Sequence, residues 1–272
     1  MKLSSGQGPH AAQTAKTLAI GLAAGLFGSL MGLGGGVIMI PLMTGVCMLT
    51  QRQAHGTSLV ALVFTGAAGA LAYGIHHQVD VTAALFLAAA ALWPAHWGAR
   101  CCHRLTEHRL RVAFGIFLMG MAILIILKPF MVPLDFHPEG WLKVAILIPV
   151  GAATGFVSGL LGIGGGALMV TALVFLCGYN QHLAQGSALM AMIPSGFVGG
   201  YAHWRLGGVA TSLLKGLLPG ILLGAFAGGA LAQPIPESAL RILFGIALFW
   251  MGVRLALKKA QPVCTDGVVT AP

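Results

Sequence analysis

The chain has 272 residues, of which 57% are hydrophobic and only 8% are charged. Soluble domains carry about a quarter charged residues, so this composition excludes a soluble globular protein and indicates an integral membrane protein. The net charge is +9, but the basic residues lie between apolar runs, as orientation signals at a membrane surface do. Nucleic-acid binding is therefore not expected. Long glycine-rich apolar runs favour a bundle of helices over the alternating strands of a β-barrel.

Eight apolar runs follow a polar N-terminal tail, at residues 17–49, 56–75, 81–99, 109–127, 143–177, 186–204, 209–232 and 239–257. About 20 helical residues cross the hydrocarbon core of a bilayer, and six of the runs are close to that length. The first and fifth runs are too long for one crossing. A polar segment containing prolines separates the fourth run from the fifth. The sequence thus predicts a first transmembrane repeat at 17–128, a linker at 129–142 and a second repeat at 143–258.

Both overlong runs carry a glycine cluster near the middle. The first cluster is Gly32, Gly34, Gly35 and Gly36, and the second, 130 positions later, is Gly162, Gly164, Gly165 and Gly166. The same offset relates Gln51 to Gln181 and Gly115 to Gly245 without a gap. A shared register over so long a stretch predicts an internal duplication, which is typical of secondary transporters.

Glycine clusters at this depth are expected to break the helices. Glycine accepts positive φ, and a break frees backbone N–H groups at the start of the following half-helix. Those donors cannot remain unpaired in lipid, and a helix N-terminus carries about half a positive charge. The clusters therefore predict an anion site that uses no buried cation. The alternative is close helix packing, for which small residues are common in membranes.

The distribution of charge separates two possible topologies. Eight full crossings would make the halves parallel and would leave basic residues on both sides of the membrane. If each long run is instead a hairpin that returns to the side it entered, each half crosses three times and the halves are inverted. Most basic residues then share one face, and Lys128, Lys143 and Arg241 lie on the other, as the positive-inside rule requires. We expect an all-α integral membrane protein of two inverted repeats, each with a Gly-broken re-entrant or discontinuous first helix plus three transmembrane helices, and with both termini cytoplasmic.

Polar residues begin the helix after each cluster. Thr57, Ser58 and Ser187 could donate hydroxyl hydrogen bonds to an oxyanion, or could cap the helix or bond back to its carbonyls. His55 and Gln185 hold equivalent positions and could be further donors. No Asp or Glu lies inside an apolar run, which favours an anionic or neutral substrate over a cation.

Other polar residues are expected to have ordinary roles. His203, near Tyr201 and Trp204, predicts anchoring at the membrane interface. The loop with His76, His77 and Asp80 is expected to be solvated. Cys101-Cys102-His103 fits no standard zinc motif. The sequence contains no recognisable catalytic constellation, so no catalytic residue, metal or cofactor is expected.

The segment GLGGGVIMIPL at 32–42, paired with GIGGGALMVTAL at 162–173, resembles the TauE/SafE family of sulfite exporters, also called the 4-toluene sulfonate uptake permease family. An A-x-G-[TS] helix start follows each segment. The resemblance implies a secondary carrier of small organosulfur anions such as sulfite, sulfoacetate or related sulfonates and carboxylates, in a bacterial inner membrane. The predicted substrate-binding residues are Gly32, Gly34, Gly35, Gly36, Thr57, Ser58, Gly162, Gly164, Gly165, Gly166, Gln185 and Ser187. Thr171 replaces the proline at Pro41, and Ala188 replaces the serine at Ser58, so the halves could bind unequally.

Two other functions are compatible with the sequence. One is a membrane haem or redox protein using His55, His76, His77 and His96, and the other is an anion channel. For a carrier, coupling to H⁺ or Na⁺ and any oligomeric state remain open, as does the direction of transport.

Overall fold

A computed structural model of the protein describes residues 9–104, 107–127, 138 and 140–257. All regular elements in these ranges are α-helices, as predicted. They are α1 Pro9–Leu30, α2 Gly36–Val46, α3 Gln51–Ile75, α4 Val81–Arg104, α5 Glu107–Leu127, α6 Gly140–Leu161, α7 Gly166–Leu176, α8 Gln181–Arg205, α9 Thr211–Ala232 and α10 Glu237–Leu257. Each overlong run is thus two helices, and the other six runs are one helix each. The predicted linker at 129–142 lies largely outside the described residues, as does Lys128, one of the basic residues that the predicted topology places on the less basic face.

Several helices have the length and apolarity of membrane spans. Four satisfy both criteria within the described chain: Gln51–Ile75, Val81–Cys102, Gly140–Leu161 and Thr211–Ala232. Large apolar side chains on the outer surface include Leu71, Trp93 and Leu223. An outer surface this apolar suits lipid contact, because a soluble monomer rarely exposes so much contiguous apolar area. The prediction of a multi-pass helical membrane protein is confirmed.

The chain reverses at both glycine clusters. A Cβ atom on Gly35 would lie 2.7 Å from the carbonyl oxygen of Ala24 in α1, so α2 begins alongside the helix that precedes it. Lys16, near the start of α1, lies close enough to Cys47 after α2 to interact with it electrostatically. In the second half, the Lys143 ammonium of α6 lies 5.2 Å from the ring of Tyr179, which follows α7. α1–α2 and α6–α7 are therefore helical hairpins with adjoining ends, and their re-entry into the membrane stays a prediction.

The two halves pack against each other reciprocally. α1 packs along α9, and its counterpart α6 packs along α4, while α3 and α8 pack together at the centre. Small residues permit these crossings. A Cβ on Gly25 would lie 2.6 Å from the Ile221 carbonyl oxygen, and a Cβ on Gly155 would lie 2.2 Å from that of Ala91. Gly155 lies 130 positions after Gly25, and Ile221 lies 130 positions after Ala91. The duplication in sequence is therefore also a repeat of contacts, with the two halves exchanged.

One polar cluster breaks this reciprocity. The Lys143 ammonium lies 2.7 Å from the Asp80 carboxylate, to which the Tyr179 hydroxyl also donates a hydrogen bond. Burial by itself raises the pKa of Asp80, but hydrogen bonds from Lys143, Tyr179 and the Ala83 amide lower that pKa to about 2. The prediction that Asp80 is simply solvated was wrong, because α4, α6 and the α7–α8 turn converge on it. The equivalent positions in the other half are Ala210, Gln13 and Leu49.

Replacing Lys143 with glutamine, the residue at the equivalent position 13, should lower the thermal unfolding midpoint by about 2–6 °C. The pair is partly buried, with side chains 23% and 21% exposed, so losing the cation should cost about 1–2 kcal/mol, between the values for exposed and buried pairs. Because the Asp80 pKa is depressed in the folded protein, its contribution is complete above about pH 4 and is lost as the pH falls towards 2. The midpoint difference between wild type and variant, measured in detergent, should therefore be the same at pH 6 and pH 8. Equal midpoints for wild type and variant at both pH values would show that the Lys143–Asp80 pair does not stabilise the fold.

Candidate functional site

The glycine clusters form two tight turns whose backbone is left-handed. The φ angles are +69°, +78° and +82° at Gly32, Gly34 and Gly35, and +67°, +90° and +67° at Gly162, Gly164 and Gly165. Residues with side chains rarely adopt such angles, which explains why the turns require glycine. Gly36 and Gly166 are the first residues of α2 and α7. All eight predicted glycines thus lie in these turns or at the helix starts that follow them.

The two turns contact each other. A Cβ on Gly36 would lie 2.8 Å from the Gly162 carbonyl oxygen, and a Cβ on Gly166 would lie 2.5 Å from that of Gly32. Each short helix therefore begins against the opposite turn. The amides of Gly36, Val37, Gly166 and Ala167 are in buried residues and donate no hydrogen bond within the described chain. Unpaired N–H groups at two facing helix N-termini are suited to an anion.

Two apolar side chains fill the space between the turns. A Cβ on Gly34 would lie 2.2 Å from Cδ1 of Leu62, and a Cβ on Gly164 would lie 2.3 Å from the same atom. Each would also lie 3.0 Å from Sδ of Met192, the residue equivalent to Leu62. Both side chains are fully buried. An anion bound between the two turns would therefore have to displace these two flexible side chains. Sequence reasoning missed them, although the 130-residue offset pairs them.

The predicted hydroxyl groups lie in different places. The Ser58 hydroxyl is directed at the second turn, where it lies against the carbonyl oxygens of His55, at 2.8 Å, and Gly162. Thr57 Oγ1 accepts a hydrogen bond from the Ala210 amide at 2.9 Å, before α9. Its equivalent, Ser187 Oγ, accepts one from the Asp80 amide at 2.8 Å, before α4. Thr57 and Ser187 thus fix neighbouring helix starts, and a direct role in binding substrate stays a prediction for both.

Each turn is also covered by a side chain from the opposite half. A Cβ on Gly32 would lie 2.6 Å from Cγ of Gln185, and a Cβ on Gly162 would lie 2.6 Å from Cα of His55. The Tyr73 hydroxyl lies 2.9 Å from Oε1 of Gln185. The structure thus places both predicted further donors, His55 and Gln185, directly against the turns.

His203 is equivalent to Tyr73 and is fully buried, with Nε2 lying 3.1 Å from the Gly159 carbonyl oxygen. The prediction that it anchors the membrane interface was wrong. A Cβ on Gly56 would lie 3.0 Å from Cβ of His203, so the absence of a side chain there makes room for the histidine. Its neighbour Trp204 is 57% exposed, so Trp204 suits the membrane interface and His203 does not.

Several buried polar atoms lack a hydrogen-bond partner within the described chain. They are both ring nitrogens of His55, Nε2 of Gln51, Gln181 and Gln185, and Oγ of Ser29 and Ser158. A buried polar group without a partner costs about 1–3 kcal/mol, so each such group in a native structure requires an explanation. The three amide groups are obligate donors. Gln51 and Gln181, which the 130-residue offset relates, begin α3 and α8 and are only 3% and 2% exposed.

The histidines proposed for haem binding do not meet. His55 lies near the start of α3, whereas His76 and His77 follow its end. A separation of 21 residues along a helix corresponds to roughly 30 Å, far more than one iron atom can bridge. His96 belongs to another helix, α4. A haem site built from these four residues is therefore wrong.

Comparison with known proteins identifies relatives along nearly the whole chain. A family model described as "Sulfite exporter TauE/SafE" matches residues 17–263. The chain is similar to a probable membrane transporter protein, YunE, of Bacillus subtilis, with 28% identity over 258 residues that cover 87% of this chain and 94% of the relative. It is also similar to a probable membrane transporter protein of Xylella fastidiosa, with 27% identity over 238 residues, 86% of this chain and 90% of the relative. No solved structure matches the chain significantly.

Proposed function

We propose a specific carrier activity for this chain, which belongs to the TauE/SafE family of sulfite exporters and is a membrane transporter, not an enzyme. The proposed function is secondary transport of small organosulfur anions, such as sulfite, sulfoacetate or related sulfonates and carboxylates, by alternating access. The observation that carries the proposal is the pair of facing glycine turns with unpaired buried N–H groups.

The hairpins support inverted halves. Each half consists of a hairpin with adjoining ends followed by three long helices. Three crossings place the next hairpin on the opposite side of the membrane, so the repeats at 17–128 and 143–258 would be inverted. Inverted repeats around a central site are a common architecture of secondary transporters. Under this topology both termini are cytoplasmic, and the membrane is the bacterial inner membrane.

The donor set supports an anion as substrate. Backbone amides of α2 and α7 and the side-chain amide of Gln185 can all donate to oxyanion oxygens. Ser58 also lies at the second turn, but its hydroxyl donates to the carbonyl oxygens of His55 and Gly162, so it can donate to an anion only by leaving them. A sulfur oxyanion offers several acceptor oxygens around one centre, which suits donors that converge from two helix starts.

Gln185→Leu should raise the KM for the transported anion about tenfold or more. The substitution removes a buried donor beside the first turn, and a hydrogen bond to a charged group contributes about 1.5–3 kcal/mol. The measurement is uptake of labelled sulfite, sulfoacetate, 4-toluenesulfonate and succinate into proteoliposomes, with pH and sodium gradients imposed separately. Gln233→Leu is the matched control, because Gln233 lies at the end of α9, away from the turns, and its side-chain amide donates to the Gly229 carbonyl of its own helix.

The uptake assay also tests the proposed function itself. Saturable flux of at least one sulfur anion by the wild type is expected. Folded protein that moves none of these anions would overturn the proposal, and single-channel conductance in a planar bilayer would favour an anion channel instead.

A further inference from the structure

The two halves of the site carry different chemistry at equivalent positions. The first turn is covered by Gln185 with Tyr73, and the second by His55 with His203. His55 is equivalent to Gln185, and His203 to Tyr73, by the 130-residue offset. One half-site is therefore neutral at every physiological pH, whereas the other contains two groups that titrate between about pH 5 and 8 in their unperturbed state.

The histidine pair lies deep in the protein and directly against the second turn. Both side chains have no exposed surface. His203 packs on Gly56, the residue after His55, and its Nε2 lies 3.1 Å from the Gly159 carbonyl oxygen, so both histidines lie beside the second turn. Neither ring nitrogen of His55 has a hydrogen-bond partner within the described chain, although the Leu161 carbonyl lies nearby. His55 therefore has a ring nitrogen free to take up a proton.

The charged groups nearest to the pair in sequence are Arg52, one turn before His55 on α3, and Arg205, two residues after His203 on α8, and both side chains are exposed. The α6–α7 hairpin presents backbone carbonyls, those of Gly159 and Leu161, and the loop before α9 presents the carbonyl of Gly208 beside Gly56. From α8, His203 is the titratable group that acts on His55. Two adjacent imidazolium ions would repel, so the pair should hold one proton rather than two. One proton there is one positive charge beside an anion site in which the described residues include no lysine or arginine.

We propose that the His55–His203 pair is the proton-binding site through which anion transport is coupled to H⁺. The inference rests on the proposed carrier function. A proton from the aqueous side binds a ring nitrogen of the pair, its charge offsets that of the anion at the adjacent turn, and both leave on the other side when the halves rock. No covalent bond other than N–H forms or breaks. Anion and proton thus move in the same direction.

The residues that cover the first turn, Gln185 and Tyr73, supply the substitutions for the test variant. The double variant His55→Gln, His203→Tyr gives the second half-site the same pair as the first, so the geometry has a precedent within the molecule. His96→Gln, on α4, is the matched control. The probe is labelled 4-toluenesulfonate, or another sulfonate of the panel that is transported. A sulfonate stays anionic throughout the pH range, so any pH effect belongs to the protein.

An inward proton gradient should increase wild-type accumulation of the sulfonate about tenfold over the value without a gradient, and His96→Gln should behave the same. The double variant should lose the response to the gradient, so its accumulation should be the same with and without the gradient, whatever its absolute rate of exchange. Sulfonate flux that ignores the gradient in the wild type, or an equal response in the double variant, would overturn the proposal while leaving the carrier function intact.

If folded wild type moves no anion, the carrier function itself fails, and a second readout decides whether the pair titrates. The thermal unfolding midpoint in detergent is measured from about pH 5 to 8. The wild type and His96→Gln should share a pH dependence that the double variant lacks. Parallel curves for all three proteins would show that the pair binds no proton in this range and would also overturn the proposal.

Discussion

Replacing Gly35 or Gly165 with alanine should reduce anion flux at least tenfold in protein that still folds and inserts. Both residues have left-handed backbone, at φ +82° and +67°, which costs a residue with a side chain about 1–2 kcal/mol. The added Cβ would also lie 2.7 Å from the Ala24 carbonyl oxygen at Gly35, and 2.2 Å from Cγ2 of Thr154 at Gly165. The turn must therefore shift and move the unpaired N–H groups of the following helix away from the anion.

Gly45→Ala is the matched control for this pair of variants. Gly45 lies in α2 itself, and a Cβ there would meet nothing within 4 Å. Alanine also favours a helix more than glycine does, so flux and stability should be unchanged or slightly better. Initial rates are compared at equal amounts of monodisperse protein in the proteoliposomes. Initial rates equal to the wild-type rate in both turn variants would show that the glycine turns do not form the anion site.

Gly155→Leu should lower the thermal unfolding midpoint by about 5–10 °C. In the crossing of α6 with α4, a Cβ on Gly155 would lie 2.2 Å from the Ala91 carbonyl oxygen and 2.6 Å from its Cα, so the obstacle is backbone. Overpacking a well-packed contact costs about 1–3 kcal/mol, and for a chain of this size each kcal/mol corresponds to about 2–4 °C. The two helices can accommodate leucine only by separating.

The control for the crossing variant is Gly120→Leu in the middle of α5, where a Cβ would meet nothing within 4 Å. Its midpoint should stay within about 1–2 °C of the wild type, as expected for a substitution that creates no overlap. Both variants are measured by fluorescence-detected unfolding in the same detergent. Equal midpoints for the two variants would show that α4 and α6 do not require close approach.

Much of the site could be read from the chain before folding. The glycine turns and their partnership were predictable because left-handed backbone and close approach require glycine, whatever surrounds it. The equivalence of His55 and Gln185 followed from the 130-residue offset. The roles of Leu62 and Met192 were not predictable, since an apolar residue in an apolar helix gives no sign of whether it faces lipid or a turn.

The same limit explains His203 and Asp80. His203 and Trp204 are neighbours in sequence, yet one is fully buried and the other is 57% exposed. In a soluble helix, the alternation of polar and apolar residues would reveal which side faces inward. In a membrane both sides are apolar, so the pattern carries little information on facing. Asp80 contacts Lys143 and Tyr179, which are far from it in sequence. Patterns among neighbouring residues therefore could not predict these contacts.

The sequence by itself determined the class of protein, the helical segments, the duplication and the two glycine breaks, because these depend on composition, on run length and on the backbone limits of each residue type. Only the tertiary structure decided which polar groups meet at those breaks. It brought His55 to His203 at one turn and Gln185 to Tyr73 at the other, since such contacts depend on how helices from the two halves pack. The two turns have the same left-handed backbone conformation, and the packing of different side chains against them makes them chemically different.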